Sequence, residues 1–340
     1  MTVKWNQTLC FFLFLTIAAC GWAQQDGRPA RQENEVPHWD NSKGLVPDCA
    51  DPYILNHEGV YYLYGTGGRK GIRVYRSYDL ASWSEAVGSR GGFALDSADV
   101  WGWHSFWAPE VYPLNGKFYM FLSSMTQLVI AESDSPLGPF IQNVQQPVNP
   151  DLVRIDAHLF TDSDGKNYLY FVRFNNGNEI WMAQMKEDLS GIKEETLTKC
   201  FGVTDPWEKT LKEPVARVAE GPFVLKHKGL YYLTYSANHF KSQDYAVGYA
   251  ISESPFGPFE KYEGNPILIG DMKNIFGTGH HSFFRSNSGE MYIVYHSHKS
   301  GTSVQPRTTC LDRCGFEKAG NGKPDKLVVY GPTTTPQPIK

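Results

Sequence analysis

The chain has 340 residues, enough for one large domain or two ordinary ones. Its 32 Lys and Arg residues against 36 Asp and Glu give a net charge of −4. No block of like charge occurs, so the sequence carries no sign of a nucleic-acid-binding surface. Aromatic residues make up 14 % of the chain and lie in short alternating runs, which favours half-buried strands and an all-β class.

Residues 1–23 have the organisation of an export signal. A basic start at Lys4 precedes an apolar stretch from Leu9 to Ala19, and small residues follow up to Ala23. The apolar stretch is too short to cross a hydrocarbon core of ~30 Å as a helix. We therefore expect an exported protein with no membrane-spanning segment.

The end of this signal allows two kinds of processing. Ile17-Ala18-Ala19-Cys20 resembles a bacterial lipobox, so lipidation of Cys20 and simple cleavage after Ala23 both stay open. The mature protein is accordingly expected to be periplasmic, secreted or an outer-membrane lipoprotein. Residues 24–46 are interpreted as an N-terminal segment, and the folded domain is placed at 47–335.

The remaining cysteines are too few and too scattered for a disulfide framework in a domain of this size. They are Cys49, Cys200, Cys310 and Cys314. Because Cys310 and Cys314 fall in one predicted strand, their Cα atoms would lie roughly 13 Å apart, beyond the reach of a bridge.

Two levels of internal repeat organise the chain. The motif SDSPLGPF at 133–140 returns as SESPFGPF at 252–259, each time after an apolar run. A looser unit occurs five times: an apolar run, a turn at glycine and an alternating aromatic run, which together predict a β-hairpin. The turn glycines are Gly59, Gly116, Gly165, Gly229 and Gly289.

Neighbouring turn glycines are separated by 49 to 64 residues, about one four-stranded propeller blade. Five blades closed into a ring leave few exposed sheet edges. The sequence therefore predicts a single-domain, five-bladed β-propeller. A β-sandwich is the alternative, but it does not predict the same order of elements in every repeat.

Counting back from the glycines locates the start of each predicted channel-lining strand. Eight residues before the first glycine and nine before the others stand Asp51, Trp107, Asp156, Glu220 and His280. Clustered carboxylates in a confined channel are unfavourable, and sites that tolerate them are usually functional. The alternative is that they cap turns or bind a structural cation.

Other aromatic and histidine side chains allow two interpretations each. An aromatic face packs well on a sugar ring, so Trp107 suits a carbohydrate site, although a core position is the alternative. The irregular segment 89–106, which contains Trp101 and Trp103, is expected to form either a lid or an apolar plug. His296 and His298 could form a zinc pair, but separate hydrogen-bonded positions are favoured.

Five short motifs, in order along the chain, resemble those of glycoside hydrolase family 43. They are Ala50-Asp51-Pro52, Trp107-Ala108-Pro109-Glu110-Val111, Ile155-Asp156-Ala157, Glu220-Gly221-Pro222 and Gly277-Thr278-Gly279-His280. The resemblance covers essentially the whole mature chain, and the family's fold is a five-bladed propeller, in agreement with the repeats.

The resemblance implies a role for each carboxylate in an inverting hydrolysis. Asp51 would be the general base and Glu220 the general acid, while Asp156 would raise the pKa of the acid and hold it in position. An inverting pair needs a separation of roughly 6.5–9.5 Å to admit the attacking water, which opposite channel walls allow.

The same resemblance suggests further site residues. His280 matches a histidine that faces a channel cation, often Ca²⁺, and Arg307 matches a late arginine that reaches the substrate. Phe223 is assigned to substrate binding with Trp107. Relatives often carry Asn at the position of His281 and Pro at that of Thr278, so the cation site is the less secure part. No organic cofactor is implied.

The expected function is hydrolysis of plant polysaccharide or oligosaccharide, with α-L-arabinofuranosidase or β-xylosidase the favoured specificities. A non-catalytic carbohydrate-binding propeller is the alternative from a different class. Galactosidase or endo-arabinanase activity is the alternative within the hydrolases. A carbohydrate is the expected partner, and the oligomeric state stays open.

Overall fold

The computed structural model describes residues 1, 36–46, 48–150, 153–209 and 217–339. The export signal at 1–23 lies outside the described residues beyond residue 1, and so do Cys20 and the segment up to residue 35. Residues from Val36 onward form one compact unit. In the described part of the chain, no helix has the length and apolar character needed to cross a membrane.

The described strands form five antiparallel sheets and one short ribbon. In chain order the elements are β1 (His38–Trp39); blade one, β2 (Tyr53–His57), β3 (Val60–Tyr64), β4 (Gly71–Ser77) and β5 (Phe93–Asp96); a 3₁₀ turn (Ser97–Asp99); blade two, β6 (Trp107–Leu114), β7 (Lys117–Ser124) and β8 (Gln127–Ser133); blade three, β9 (Arg154–Thr161), β10 (Asn167–Phe174), β11 (Asn178–Gln184), a 3₁₀ turn (Glu194–Thr196) and β12 (Thr198–Phe201); a 3₁₀ turn (Pro206–Glu208); blade four, β13 (Ala219–His227), β14 (Leu230–Ala237), β15 (Ala246–Ser252), β16 (Glu260–Lys261) and β17 (Leu268–Ile269); blade five, β18 (Gly279–Arg285), β19 (Met291–Ser297), β20 (Thr308–Glu317) and β21 (Lys326–Val329); and β22 (Gln337–Pro338).

The five sheets close into a ring around their first strands. Strand β2 contacts β6, β6 contacts β9, β9 contacts β13, β13 contacts β18, and β18 returns to β2. Each blade then runs outward from its first strand in sequence order. The predicted five-bladed β-propeller is confirmed, and the first strand of every blade lines the channel.

The predicted hairpins are present, but their loops differ in length. Blades one, two and four turn through two residues with positive φ, such as Asn115 (51°) and Gly116 (78°), which suits the twist of a hairpin. Blade three instead pairs the Asp162 N–H with Lys166 O, and blade five pairs the Ser286 N–H with Glu290 O, each around three residues. Blades three and five therefore carry one extra loop residue.

The repeated eight-residue motif makes the same turn twice. The Ser135 N–H donates to Ser133 Oγ and the Leu137 N–H to Ser135 Oγ, both at 3.1 Å. The second copy repeats these bonds from Ser254 and Phe256 at 3.0 and 3.2 Å. In both copies the turn leads the chain out of the third strand of a blade, so the sequence match reflects equivalent positions.

The interior of the ring is filled by the aromatic and aliphatic side chains of the alternating runs. One cluster joins blades one, two, four and five, and another joins blades three and four. Removing one such side chain from water stabilises the fold by roughly 1.5–3 kcal/mol. The four cysteines of the described residues are free thiols in the structure.

Both ends of the described unit are held on blade five. Strand β1 pairs with β22, and the Ile339 N–H donates to Pro37 O at 2.7 Å. Beneath them, the buried Asp312 carboxylate accepts hydrogen bonds from Asn41 Nδ2 and the Thr333 N–H. The segment before the first blade is thereby attached to the last one.

Candidate active site

The same backbone feature begins the channel end of every inner strand. One residue per blade has a left-handed conformation: Asp51 (φ 50°), Ala108 (46°), Asp156 (56°), Gly221 (55°) and His280 (46°). In blades two to five a β-bulge follows at this point. Non-glycine residues seldom adopt this conformation, so its recurrence at one point of every blade marks an equivalent position.

This feature corrects the register counted from the glycines. Asp51, Asp156 and His280 are true equivalents, but Trp107 and Glu220 each stand one residue before the left-handed position. The reason is the extra loop residue of blades three and five, which lengthens the count from the glycine there. Trp107 and Glu220 therefore point differently from the other three side chains.

The N–H of each left-handed residue is bound by a side chain from the preceding blade. Ala108 donates to Thr66 Oγ1 at 3.0 Å, Asp156 to Ser123 Oγ at 3.0 Å and His280 to Ser236 Oγ at 2.8 Å. Asp51 N approaches His296 Nδ1 at 3.3 Å. These bonds tie each inner strand to its neighbour.

Blade three departs from this rule. At the position of Ser123 and Ser236 it has Val172, which offers no acceptor. The Gly221 N–H instead donates to Asp156 Oδ2 at 3.3 Å. The missing hydroxyl thus leaves a backbone donor that orients the Asp156 carboxylate.

Asp51 is buried among donors that keep it ionised. Arg307 Nη1 lies 2.7 Å from Oδ1 and Nη2 lies 3.3 Å from Oδ2, and Thr66 Oγ1 donates to Oδ2. Burial alone raises the pKa of Asp51, but Arg307, His280 and His296 outweigh it and hold the pKa well below its ordinary value. Asp51 is therefore a carboxylate.

Glu220 is equally buried but keeps its proton more readily. Tyr245 donates its hydroxyl to Oε1 at 2.9 Å, and Asn178 Nδ2 donates to Oε2 at 3.1 Å. Burial raises the pKa of Glu220, and repulsion from Asp51 adds to this, against the opposing effects of His280 and Tyr245. Desolvation is thus the largest cause of the raised pKa, ahead of the like-charge repulsion emphasised from sequence.

Asp156 is the third carboxyl group of the cluster. Burial is the main cause that raises its pKa to about 7, and both Glu220 and Asp51 raise it further, while His280 lowers it. The three acidic groups therefore interact electrostatically around one point of the channel. The structure brings together all three carboxyl groups expected from sequence.

His280 supplies the positive charge at the centre of this cluster. Its Nδ1 lies 3.5 Å from Asp51 Oδ1. Burial lowers the pKa of His280, but Asp51, Asp156 and Glu220 together raise it above its ordinary value. The neighbouring His281 faces the interior, where Nε2 lies 2.6 Å from Thr234 Oγ1 and burial holds its pKa well below the ordinary value.

The other sequence-predicted residues are placed as follows. Arg307 contacts Asp51 directly, which places it in the site. Trp107 is partly buried against the apolar cluster of blades three and four, so its contact with substrate stays a prediction. His296 lies beside Asp51, whereas His298 Nε2 is 2.7 Å from Phe240 O. The two histidines thus have separate partners, as favoured over a zinc pair.

Phe223 is a correction, because the structure does not place it at the site. It lies beyond the bulge of β13, buried in the core between His158 and Phe283, with ring centroids 4.1 and 5.5 Å away. The bulge consists of Gly221 and Pro222, and Phe223 follows it along β13. Its side chain packs the propeller interior and is not available to bind substrate.

The segment before Trp107 is neither wholly a lid nor wholly a plug. Phe106 is fully buried and Trp101 is partly buried against the core. Trp103 is 57 % exposed, with the Arg69 guanidinium 5.6 Å from its ring centroid. One aromatic face is therefore available to solvent at the channel end that carries the carboxylates.

Sequence reasoning missed three residues that hold the carboxylates: Thr66, Asn178 and Tyr245. Each lies in or beside a strand-to-strand connection outside the inner strands, where the glycine count does not reach. Thr66 alone had a detectable signal, because it follows the first hairpin at the same interval as Ser123 and Ser236 follow theirs.

The Ca²⁺ site expected beside His280 stays a prediction. Calcium takes six to eight oxygen ligands. The described chain has no group of three or more His, Cys, Asp or Glu side chains placed to hold a metal ion. The cavity lined by Asp51, Asp156 and His280 has a volume of about 10 Å³, about the space of one water molecule.

A β-propeller whose channel end holds one carboxylate of lowered pKa and two carboxyl groups of raised pKa has the parts of a glycoside hydrolase. The chain belongs to glycosyl hydrolases family 43, whose family model matches residues 45–321. It is an inverting glycoside hydrolase.

Known proteins resemble the chain over most of its length. A Bacteroides thetaiotaomicron structure described as an endo-1,4-β-xylanase is 40 % identical with a TM-score of 0.78, over 90 % of this chain and 100 % of that one. A thermostable family-43 glycoside hydrolase is 39 % identical with a TM-score of 0.80, over 88 % and 98 %. A β-D-galactofuranosidase of Aspergillus niger is 30 % identical over 262 residues, 75 % of this chain and 68 % of the relative.

Proposed function

We propose that Asp51 is the general base and Glu220 the general acid of an inverting hydrolysis. The observation that carries the proposal is their opposite protonation preference within one buried cluster: the pKa of Asp51 is lowered and that of Glu220 is raised. Environments that push two titratable groups apart in this way identify the base and the acid.

In the proposed reaction a water molecule attacks the anomeric carbon and gives one proton to the Asp51 carboxylate. Glu220 transfers its proton to the glycosidic oxygen as the bond from that oxygen to the anomeric carbon breaks. His280 offsets part of the negative charge, and Glu220 and Asp51 help to raise the pKa of Asp156, which is assigned to holding the acid in position. The separation of roughly 6.5–9.5 Å between base and acid stays a prediction.

The proposed substrate is a plant polysaccharide or oligosaccharide, from which the enzyme removes α-L-arabinofuranosyl or β-xylosyl units. A Bacteroides ovatus xylosidase/arabinosidase, 24 % identical over 295 residues, supports both specificities. A buried carboxylate cluster, together with the exposed Trp103 in the segment before blade two, also suits a pocket that accepts the end or a branch of a chain.

A β-D-galactofuranosidase activity is the second candidate, favoured by the Aspergillus niger relative at 30 % identity. Galactofuranose and arabinofuranose share a five-membered ring, so a pocket shaped for one resembles a pocket for the other. Xylose in its pyranose form has a different outline. The furanosides are therefore expected to behave as a group.

The proposed location is outside the cytoplasm. The expected signal at 1–23 supports export, and a Cellvibrio japonicus relative, 22 % identical over 306 residues, is described as an extracellular exo-α-(1→5)-L-arabinofuranosidase. Lipidation of Cys20 remains the alternative to cleavage after Ala23. Mass spectrometry of the protein from its native host distinguishes a lipidated Cys20 from a free N-terminus at Gln24.

The decisive experiment assays the purified protein on nitrophenyl α-L-arabinofuranoside, β-xyloside and β-galactofuranoside, with linear arabinan alongside. Asp51→Asn is expected to lower kcat by a factor of ~10² to 10⁴ on every substrate, and Glu220→Gln by the same factor on linear arabinan or another unactivated oligosaccharide, while the far-UV spectrum and Tm show an intact fold. Asp164→Asn, an exposed hairpin carboxylate, is the control. Near wild-type rates of Asp51→Asn on any substrate, or of Glu220→Gln on an unactivated one, would refute the assignment, and a fully inactive wild-type protein would favour the carbohydrate-binding alternative.

A further inference from the structure

The connection between β14 and β15, residues 238–245, reaches both proposed catalytic carboxyl groups. We name it the 238–245 loop. Its last residue, Tyr245, contacts Glu220, and its third residue, Phe240, contacts the arginine that pairs with Asp51. The proposed acid and the proposed base lie on different blades, so one segment that touches both environments is a candidate for setting their geometry.

Tyr245 is held rigidly against Glu220. Its side chain is fully buried, and its hydroxyl donates to Glu220 Oε1 at 2.9 Å. One face of the ring lies over Gly279, where a Cβ would stand only 2.4 Å from Tyr245 Cε1. The ring also stacks on His296 with centroids 5.6 Å apart and planes at 18°. The hydroxyl therefore has a fixed direction.

This contact and the one from Asn178 hold the Glu220 carboxyl group on both sides. Tyr245 donates to Oε1 at 2.9 Å and Asn178 Nδ2 donates to Oε2 at 3.1 Å, so each oxygen has a fixed partner and the plane of the carboxyl group is set. A fixed plane matters because general acid catalysis requires the donor within hydrogen-bond reach of the leaving oxygen.

Phe240 acts on the other carboxylate through Arg307. The Arg307 guanidinium lies 5.0 Å from the Phe240 ring centroid, close enough for a cation–π contact. The Phe240 carbonyl oxygen is 2.7 Å from His298 Nε2, which fixes the backbone at this point. Arg307, supported from behind, presents its fork to Asp51 at 2.7 and 3.3 Å.

The loop itself is anchored at both ends. Asn238 Nδ2 donates to Trp207 O at 2.9 Å and to Asp244 O at 2.8 Å. The Gly277 N–H donates to Gln243 O at 2.8 Å, which ties the loop to the entry of blade five. These bonds reach the segment before blade four and the entry of blade five. The loop is therefore fixed relative to blades four and five.

We infer that the 238–245 loop is a positioning element for the reaction, in which Tyr245 orients Glu220 and Phe240 supports Arg307 over Asp51. The inference rests on the proposed function, because it presumes that Glu220 is the acid and Asp51 the base. Tyr245 and Phe240 are positioning residues, since each acts through another side chain.

The test for Tyr245 is Tyr245→Phe, which removes the hydroxyl and keeps the ring on His296. A glycoside with a nitrophenol leaving group needs little protonation, whereas an unactivated oligosaccharide needs the acid. We expect kcat/KM on the oligosaccharide to fall about 10-fold further than on the nitrophenyl glycoside, a part of the 10²–10⁴-fold effect of general acid catalysis. Loss of a bond that favours the ionised carboxylate also moves the alkaline limb of the pH profile to higher pH.

The matched control is Tyr249→Phe, at a fully buried tyrosine of β15 four residues further along the chain from Tyr245. This variant is expected to lower kcat/KM equally on both substrates or not at all. Equal losses on both substrates in Tyr245→Phe, or an unchanged profile, would overturn the role of Tyr245. Glu220→Ala separates the positioning role from the acid assignment. If kcat/KM on the oligosaccharide is unchanged in Glu220→Ala as well, the assignment of Glu220 as the acid has failed, and not only the role of Tyr245.

The test for Phe240 is Phe240→Leu, which keeps apolar bulk and removes the aromatic face. Arg307 is then held less firmly, the pKa of Asp51 rises, and the acidic limb of the profile moves to higher pH. The alkaline limb is expected to stay in place, which separates this effect from that of Tyr245→Phe. An acidic limb that does not move would remove Phe240 from the inference.

Discussion

Arg307 donates hydrogen bonds to the carboxylate of Asp51 from both terminal nitrogens, Nη1 to Oδ1 at 2.7 Å and Nη2 to Oδ2 at 3.3 Å. The two residues are far apart in the chain. A bidentate pair of this kind fixes the plane of the carboxylate as well as its charge. The arginine expected from sequence to meet substrate thus also holds the proposed base ionised and oriented.

Replacing this arginine is expected to shift the acidic limb of the pH–activity profile. In Arg307→Met the pKa of Asp51 rises, because the largest opposing charge is lost while burial remains. The base must be ionised to act, so activity begins at higher pH than in the wild type. The measurement is kcat/KM against pH, with Arg285→Met, on the far hairpin of blade five, as the control. An acidic limb that stays in place would show that Arg307 does not set the ionisation of Asp51.

Asp156→Asn is expected to stabilise the protein in a defined pH window. The folded-state pKa of about 7 lies above the unfolded value of about 3.9, so wild-type stability falls as pH rises between them. An amide carries no such penalty. The Tm of the variant should exceed that of the wild type at pH 8 and match it near pH 4, while activity is largely lost. A lower Tm at pH 8 would contradict the raised pKa.

The buried pair of Lys261 and Glu208 is expected to matter for stability and not for chemistry. Lys261 Nζ lies 2.6 and 2.8 Å from the two oxygens of Glu208, which is fully buried. Lys261→Met leaves that charge unpaired and should cost ~3–5 kcal/mol in chemical denaturation. Lys199→Met, which breaks the more exposed pair with Glu179, should change Tm little. Equal effects of the two changes would argue against a specific cost of burial.

Trp103→Ala is expected to weaken the binding of long substrates. The side chain is 57 % exposed, so its loss should leave Tm nearly unchanged. We expect KM on arabinoxylan or arabinan oligosaccharides to rise several-fold, while kcat/KM on a nitrophenyl glycoside stays close to wild type. Tyr330→Ala, at an exposed tyrosine of blade five, is the control. Identical kinetics on long and short substrates would show that Trp103 takes no part in binding.

The sequence predicted the ring because hairpins are local. Gly59, Gly116 and Gly229 sit in two-residue turns, which require a positive φ. Such turns can be recognised from a few residues. The family motifs then pointed to the three carboxyl groups. The position of each side chain around the channel needed more, since one extra loop residue in blades three and five was enough to misplace Trp107 and Glu220 by one position.

The supporting side chains were out of reach for a different reason. Tyr245 and Asn178 meet Glu220 only after three strands of two blades have packed, and their own sequence surroundings look like ordinary strand ends. Val172 is an extreme case: its effect on Asp156 comes from a hydroxyl that it lacks and that Ser123 and Ser236 have. For Phe223 the sequence predicted a site residue that the structure does not place there, because a two-residue bulge directs its side chain into the core.

The meeting of both ends of the described unit on blade five has a practical consequence. Pro37 and Ile339 are joined by a hydrogen bond, so a short peptide linker would span them without disturbing any blade. New ends could be opened at the hairpin of Asp164 and Gly165, on the face of the ring away from the carboxylates. Such a rearranged chain would keep the order of its blades in space while changing which of them is synthesised first.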